Sequence, residues 1–143
     1  MHDIRDAQMM GRATDGKLVQ RPLSPHLQVY RPQITSGVSI FNRITGVALC
    51  AGTLLLVWWL AAAATSDGAY AAVSAFMRSW VGIFVLVGWT ASLWFHFLGG
   101  VRHLMWDAGY GYDLPTVHTT GWAVIGGTAL LTVVTWVAVV VVA

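Results

Sequence analysis

Three apolar stretches dominate the chain: residues 44–64, 80–101 and 121–143. Each reaches the ~20 residues that a helix rising ~1.5 Å per residue needs to cross a hydrocarbon core. Polar positions are largely confined to what lies between and before them. Thr65, Ser66, Asp67 and Gly68 form a short turn, and residues 71–77 hold good helix formers and no breaker. The second helix is therefore expected to begin near Ala69 and run on through residue 101. Between residues 102 and 120, Asp107, Gly109, Gly111, Asp113 and Pro115 mark the end of a helix followed by a loop. The pattern predicts an all-α membrane protein with three transmembrane helices spanning residues 39–143, preceded by a polar segment of residues 1–38.

Composition sharpens this. The chain is 57% hydrophobic and 10% charged, with no Glu, whereas an ordinary soluble domain carries roughly 25% charged residues. That excludes a soluble enzyme and a nucleic-acid binder. A disulfide scaffold is excluded too, because Cys50 has no partner in the chain. Six Lys/Arg precede the first span, Arg78 lies between the first and second, Arg102 follows the second, and none follows the third. By the positive-inside rule, the N-terminus and the 102–120 loop are expected on the cytoplasmic (or mitochondrial matrix) side and the C-terminus outside. A bacterial plasma membrane is the expected location. Trp80, Trp106 and Trp122 lie near span ends, where indoles favour the interface; Trp58, Trp59, Trp89, Trp94 and Trp136 read as lipid-facing or packing bulk. Residues 1–38 lack the apolar run of a signal peptide, and Asp3, Asp6 and Asp15 argue against an acid-poor transit peptide. The first 20 residues are expected to be polar and mobile. Pro22, Pro25 and Pro32 predict an extended segment over residues 21–35, lying along the membrane surface or a partner.

His96 carries the most chemistry, because an imidazole several turns inside an apolar helix is costly unless something satisfies it. At ~100° per residue, Gly88, Ser92, His96, Gly99, Gly100 and His103 gather on one side of the helix. Two readings stand. The stripe is either a close helix contact with His96 bonded to a neighbouring helix, or a place where a flat, bulky cofactor approaches the backbone. If His96 is a ligand, haem fits better than zinc, since zinc wants three or four clustered ligands and no other His, Cys or acid lies at that depth. A second axial ligand then has to come from a partner. His103, about 10 Å further along the same face, cannot reach the same iron and serves a propionate or the surface.

Ser39, Asn42 and Arg43 sit at the mouth of the first span. Ser39 and Arg43, spaced i,i+4, share a face if the helix begins near Ser39. One reading makes Ser39 an N-cap and Arg43 a snorkelling anchor. The other gives them an electron-accepting headgroup, with a hydroxyl to bond a carbonyl oxygen and a positive charge to stabilise the anion formed by one-electron reduction. Apart from His96 no intramembrane acid or base marks a transport path.

Two motifs carry a family resemblance. One is Arg21-Pro22-Leu23-Ser24-Pro25-His26-Leu27 followed by Ser39-Ile40-Phe41-Asn42-Arg43-Ile44-Thr45-Gly46. The other is His96-Phe97-Leu98-Gly99-Gly100-Val101-Arg102-His103-Leu104-Met105-Trp106-Asp107-Ala108-Gly109-Tyr110. Together with three spans, they make the chain resemble, over essentially its whole length, the cytochrome b membrane anchor of succinate dehydrogenase (succinate:quinone oxidoreductase). The resemblance implies that His96 is an axial ligand of haem b, with the other axial His supplied by a second, smaller anchor subunit. It implies that Ser39 and Arg43 line a ubiquinone or menaquinone headgroup pocket, with Arg43 also approaching a haem propionate. Asn42 stands where many relatives have His, and His103 and Asp107 fall inside the motif without an assigned role. The implied partners are a flavoprotein subunit that oxidises succinate, an iron–sulfur subunit that relays electrons, and the small anchor. The chain has no Cys cluster and no glycine-rich dinucleotide unit, so it does not oxidise succinate alone. The rival expectations are a fumarate reductase anchor and a haem-free structural anchor.

Overall fold

A computed structural model describes residues 10–21 and 32–142. The first segment is a two-stranded antiparallel hairpin, β1 (Met10–Arg12) and β2 (Leu18–Gln20), paired with Met10 opposite Gln20 and Arg12 opposite Leu18. Its reversal depends on Gly16 at φ +84°, with Gly16 N–H donating to Ala13 O at 2.8 Å. Asp15 stiffens the turn by accepting from Lys17 N–H at 3.2 Å. Residues 10–20 are thus ordered as a hairpin, where a mobile polar segment is expected from composition alone. Residues 22–31, with most of the proline segment and of the Arg21–Leu27 motif, fall outside the described residues; the extended segment expected over residues 21–35 is already helical at Ile34 and Thr35.

The second segment is helical: α1 (Ile34–Thr65), α2 (Asp67–Arg78), α3 (Trp80–Asp107) and α4 (Leu114–Val142). Three of these, α1, α3 and α4, are long and apolar enough to cross a membrane. At ~1.5 Å per residue all three exceed a hydrocarbon core of about 30 Å. Each predicted apolar run lies within one of these helices as far as the described residues reach. The helices extend past the runs because nothing in residues 34–43 or 114–120 breaks a helix except Pro115. Pro115 falls in the first turn of α4, where its missing N–H costs nothing. Among the described residues the buried apolar side chains are few, Val38, Ala62, Val73 and Val124, while large apolar side chains are exposed along every long helix. For water that surface is untenable, and for lipid it is the expected one.

Helix α3 is central and packs on both α1 and α4, which also touch each other. The turn at residues 65–68 reduces to a single residue, Ser66, which ends α1 and caps α2 by accepting from Ala69 N–H at 3.2 Å. The expected continuous second helix is broken at Ser79. There the chain adopts ψ 159°, and the Ser79 hydroxyl accepts from Gly82 N–H at 3.1 Å, starting α3 afresh. The bend brings the end of α2 so close to α3 that a Cβ on Gly82 would lie 2.7 Å from Met77 Cα. Helix α2 folds back on the end of α1, with Phe76 against Trp58 (6.0 Å) and Tyr70 against Trp59 (6.2 Å), and with Val73 the most buried side chain.

The opposite connection, residues 108–113, turns through Gly109 and Gly111, at φ +88° and +80°. Asp113 caps α4, accepting from Thr116 N–H at 3.1 Å. That hydrogen bonding holds its carboxyl below the ordinary aspartate range.

Candidate functional site

The α1–α3 crossing is built from two glycines and the two polar side chains that lie on them. On α1, Gly46 offers no side chain, and the His96 imidazole of α3 lies over it; a methyl at Gly46 would stand 3.1 Å from Cε1. On α3, buried Gly99 does the same for Asn42 of α1, whose Oδ1 and Cγ press where a Cβ would be. Nearly two helical turns on, Gly52 receives the indole of Trp89 in the same way. The backbones approach closely because small residues alternate with large ones across the contact, as in other membrane helix pairs.

His96 is half-buried, and its Nδ1 lies 2.9 Å from the backbone O of Asn42. A carbonyl only accepts, so Nδ1 carries the proton and Nε2 of the neutral ring presents its lone pair. Nε2 has no hydrogen-bond partner and is not sealed from its surroundings. The first sequence reading of His96 is therefore met, since one nitrogen is bonded to a neighbouring helix, and it leaves room for the second, since the other nitrogen keeps its lone pair. An imidazole fixed through one nitrogen by a carbonyl, with the other open, is the arrangement of a metal-ligating histidine. Among the described residues no three His, Cys or acidic groups converge, so His96 offers one ligand rather than a zinc cage. The residues present thus fit a haem iron. Below His96 the α1–α3 groove opens into a cavity of about 420 Å³ lined by Ala48, Ala51, Gly52, Gly88, Trp89 and Ser92 among others. Of the small stripe on α3, Gly99 is consumed by the Asn42 contact, while Gly88 and Gly100 face open space.

Ser39 lies in the second turn of α1, since the helix starts at Ile34 after Gln33. It is therefore not the N-cap that a start near Ser39 implies. It is half-buried, Arg43 is exposed, and among the described residues neither side chain makes a hydrogen bond or ion pair. They lie three residues before and one after Asn42, the α1 residue that meets Gly99, with their polar side-chain atoms uncommitted among the described residues. His103 is half-buried and sets its ring edge-on to Trp106, with centroids 5.2 Å apart. Asp107 is exposed at the end of α3.

Arg102 has a role that charge counting misses. It is 4% exposed and points away from the His96 face into the α3–α4 contact. There Nε donates to Thr120 Oγ1 at 3.0 Å and an Nη donates to Val117 O at 2.9 Å, while the guanidinium lies 4.0 Å over the Trp106 ring. Trp106 in turn stacks on Tyr112 and donates to Gly111 O at 3.2 Å. The loop after α3 is thereby tied to both helices. The i,i+4 spacing of Arg102 and Trp106 is the one local signal of this; Thr120 is not deducible from spacing. Trp94, expected as bulk, donates to Thr135 Oγ1 at 3.0 Å and gives α3 and α4 a second polar tie.

Comparison with known proteins identifies relatives of this chain. Residues 17–135 match the family described as succinate dehydrogenase/fumarate reductase transmembrane subunit. The succinate dehydrogenase cytochrome b556 subunit of Paracoccus denitrificans is 50% identical over 115 residues, covering 80% of this chain and 88% of its own. The corresponding subunit of Rickettsia conorii is 42% identical over 118 residues, 82% of this chain and 92% of its own. The cytochrome b560 subunit of Reclinomonas americana is 34% identical over 124 residues, 83% of this chain and 86% of its own. With three membrane-crossing helices and a match over most of its length, the chain belongs to the succinate dehydrogenase/fumarate reductase transmembrane subunit family.

Proposed function

We propose that this chain is the cytochrome b anchor of a succinate:quinone oxidoreductase. It holds haem b through His96 Nε2 and lends Ser39 and Arg43 to the site where a quinone is reduced. The observation that carries the reading is the bond from His96 Nδ1 to Asn42 O at 2.9 Å, which leaves Nε2 as the open nitrogen. When bound, the haem supplies a one-electron carrier inside the bilayer. His96 fixes that group's place, because its ring is clamped between Gly46 and the Asn42 carbonyl. A second ligand to that iron would have to come from another chain, and a second small anchor subunit carrying a histidine would supply it, in keeping with the single ligand offered here. Electrons come from a flavoprotein subunit by way of an iron–sulfur subunit.

Arg43 places a guanidinium at the membrane surface with no acid paired to it among the described residues, and it attracts the negative charge that develops on a quinone oxygen during reduction. The Ser39 hydroxyl, one turn away on the same face, orients a carbonyl oxygen by donating to it. The distribution of Lys and Arg supports a cytoplasmic N-terminus in a bacterial plasma membrane. Purified complex carrying His96→Leu tests the reading. The reduced-minus-oxidised spectrum of the wild type is expected to show a b-type band, and the variant to lose or alter it. A variant spectrum identical to the wild type would remove His96 as a ligand.

A further inference from the structure

The ring of His96 is held by a backbone carbonyl, and a carbonyl within a helix cannot be adjusted by a rotamer change. Its distance from Nδ1 depends on how closely α1 approaches α3. At that level the approach is set by Asn42 and Gly99: Asn42 Oδ1 and Cγ occupy the volume that a side chain at Gly99 would need, with Cγ 3.0 Å from the ideal Cβ position. Gly99 is buried and Asn42 Oδ1 is a buried acceptor without a hydrogen-bond donor, so the amide is there for its fit rather than for a bond. Asn42 O also lies 2.9 Å from Thr45 Oγ1, which ties this carbonyl to the next turn of α1.

We propose that Gly99, by seating the Asn42 side chain, is a positioning residue for the His96 imidazole: it keeps the Asn42 carbonyl within reach of Nδ1–H and so sets how strongly Nε2 donates to the iron. This rests on the haem reading above. A hydrogen bond from Nδ1–H to a carbonyl raises the basicity of Nε2 and stabilises the more oxidised, more positively charged iron. A methyl at Gly99 meets Asn42 Cγ well inside the ~3.5–4.0 Å of a good carbon contact. Turning the amide about the Cβ–Cγ bond moves Oδ1 but not Cγ, so with the Cα–Cβ rotamer kept the helices part by roughly half an ångström or more. A bond of 2.9 Å then stretches towards the limit at which it ceases to be one.

The test is a potentiometric titration of the b-type band in the purified complex for four proteins: wild type, Gly99→Ala, Asn42→Ala and Asn42→Ala/Gly99→Ala. Gly99→Ala is expected to raise the midpoint potential. The double variant removes the colliding amide but keeps the backbone carbonyl, so its potential is expected to return most of the way to the wild-type value. Asn42→Ala alone is expected to shift it less than Gly99→Ala. A Gly99→Ala potential equal to wild type, or a double variant displaced as far as Gly99→Ala, overturns the inference. If Gly99→Ala does not assemble, the double variant must, with a potential near the wild type; failure of both to assemble overturns the inference as well. A wild type lacking a b-type band would instead remove the haem reading itself, a separate failure visible before any variant is made.

Discussion

Replacing Gly52 with Val drives a branched side chain into the space held by the Trp89 indole. A Cβ at position 52 would collide with three ring atoms, Nε1, Cδ1 and Cε2. A ring cannot deform, so it must leave the groove until carbon contacts recover to about 3.5–4.0 Å. Overpacking of this kind typically costs about 1–3 kcal/mol, and a ring hit on three atoms belongs at the upper end. Val regains only a few tenths of a kcal/mol of helix propensity over Gly, leaving a net loss of about 2 kcal/mol. That is roughly a thirtyfold fall in the folded-to-unfolded ratio. The control is Gly68→Ala, in the first turn of α2, where a Cβ meets nothing within 4 Å and helix propensity favours the substitution. The assay is unfolding of the purified subunit in mixed micelles of rising SDS content, followed by tryptophan emission. Gly52→Val is expected to shift the midpoint to lower SDS and Gly68→Ala to leave it or raise it. Equal behaviour of the two variants would refute the reasoning, because position-specific contact would then not govern the glycine's role.

Arg43→Ala is expected to lower quinone reduction by roughly tenfold or more, the worth of one hydrogen bond to a charged group. Succinate oxidation by an artificial acceptor in the same complex should survive, and equal loss of both would count against a quinone role. Thr135→Val strands the Trp94 indole N–H on the α3–α4 contact, and should lower the SDS midpoint by the equivalent of about 1 kcal/mol. The Asp113 carboxyl lies below its ordinary range because Thr116 bonds its charged form, so its stabilisation of the α4 start is complete above about pH 4. As the pH falls through the depressed folded value the contribution is lost, and amide exchange at Thr116 and Val117 should accelerate relative to the intrinsic rate. An Asp113→Ala chain should show no such acid-induced change.

The bilayer makes some of this protein readable along the chain. Where no water can satisfy a backbone, an apolar run of sufficient length has to be a helix, so residues 44–64, 80–101 and 121–143 declared three helices without reference to any neighbour. The same scarcity of polar groups singled out His96, and periodicity put Gly99 and Gly100 beside it. What spacing along one helix does not state is which face meets which. The break at Ser79 depends on α2 folding back onto Trp58 and Trp59, so a run of good helix formers was silent about it. Residues 10–20 turned on one glycine at positive φ, which an inventory of polar residues passes over. Arg102 counted as a topological charge until Thr120 and Val117 on another helix enclosed it. Which nitrogen of His96 is bonded and which keeps its lone pair depended on a carbonyl 54 residues away in the chain. Burial in a membrane is a property of segment length and composition, and can be read locally; hydrogen-bond partners and close approach depend on two segments meeting, and only the packed helices decide them.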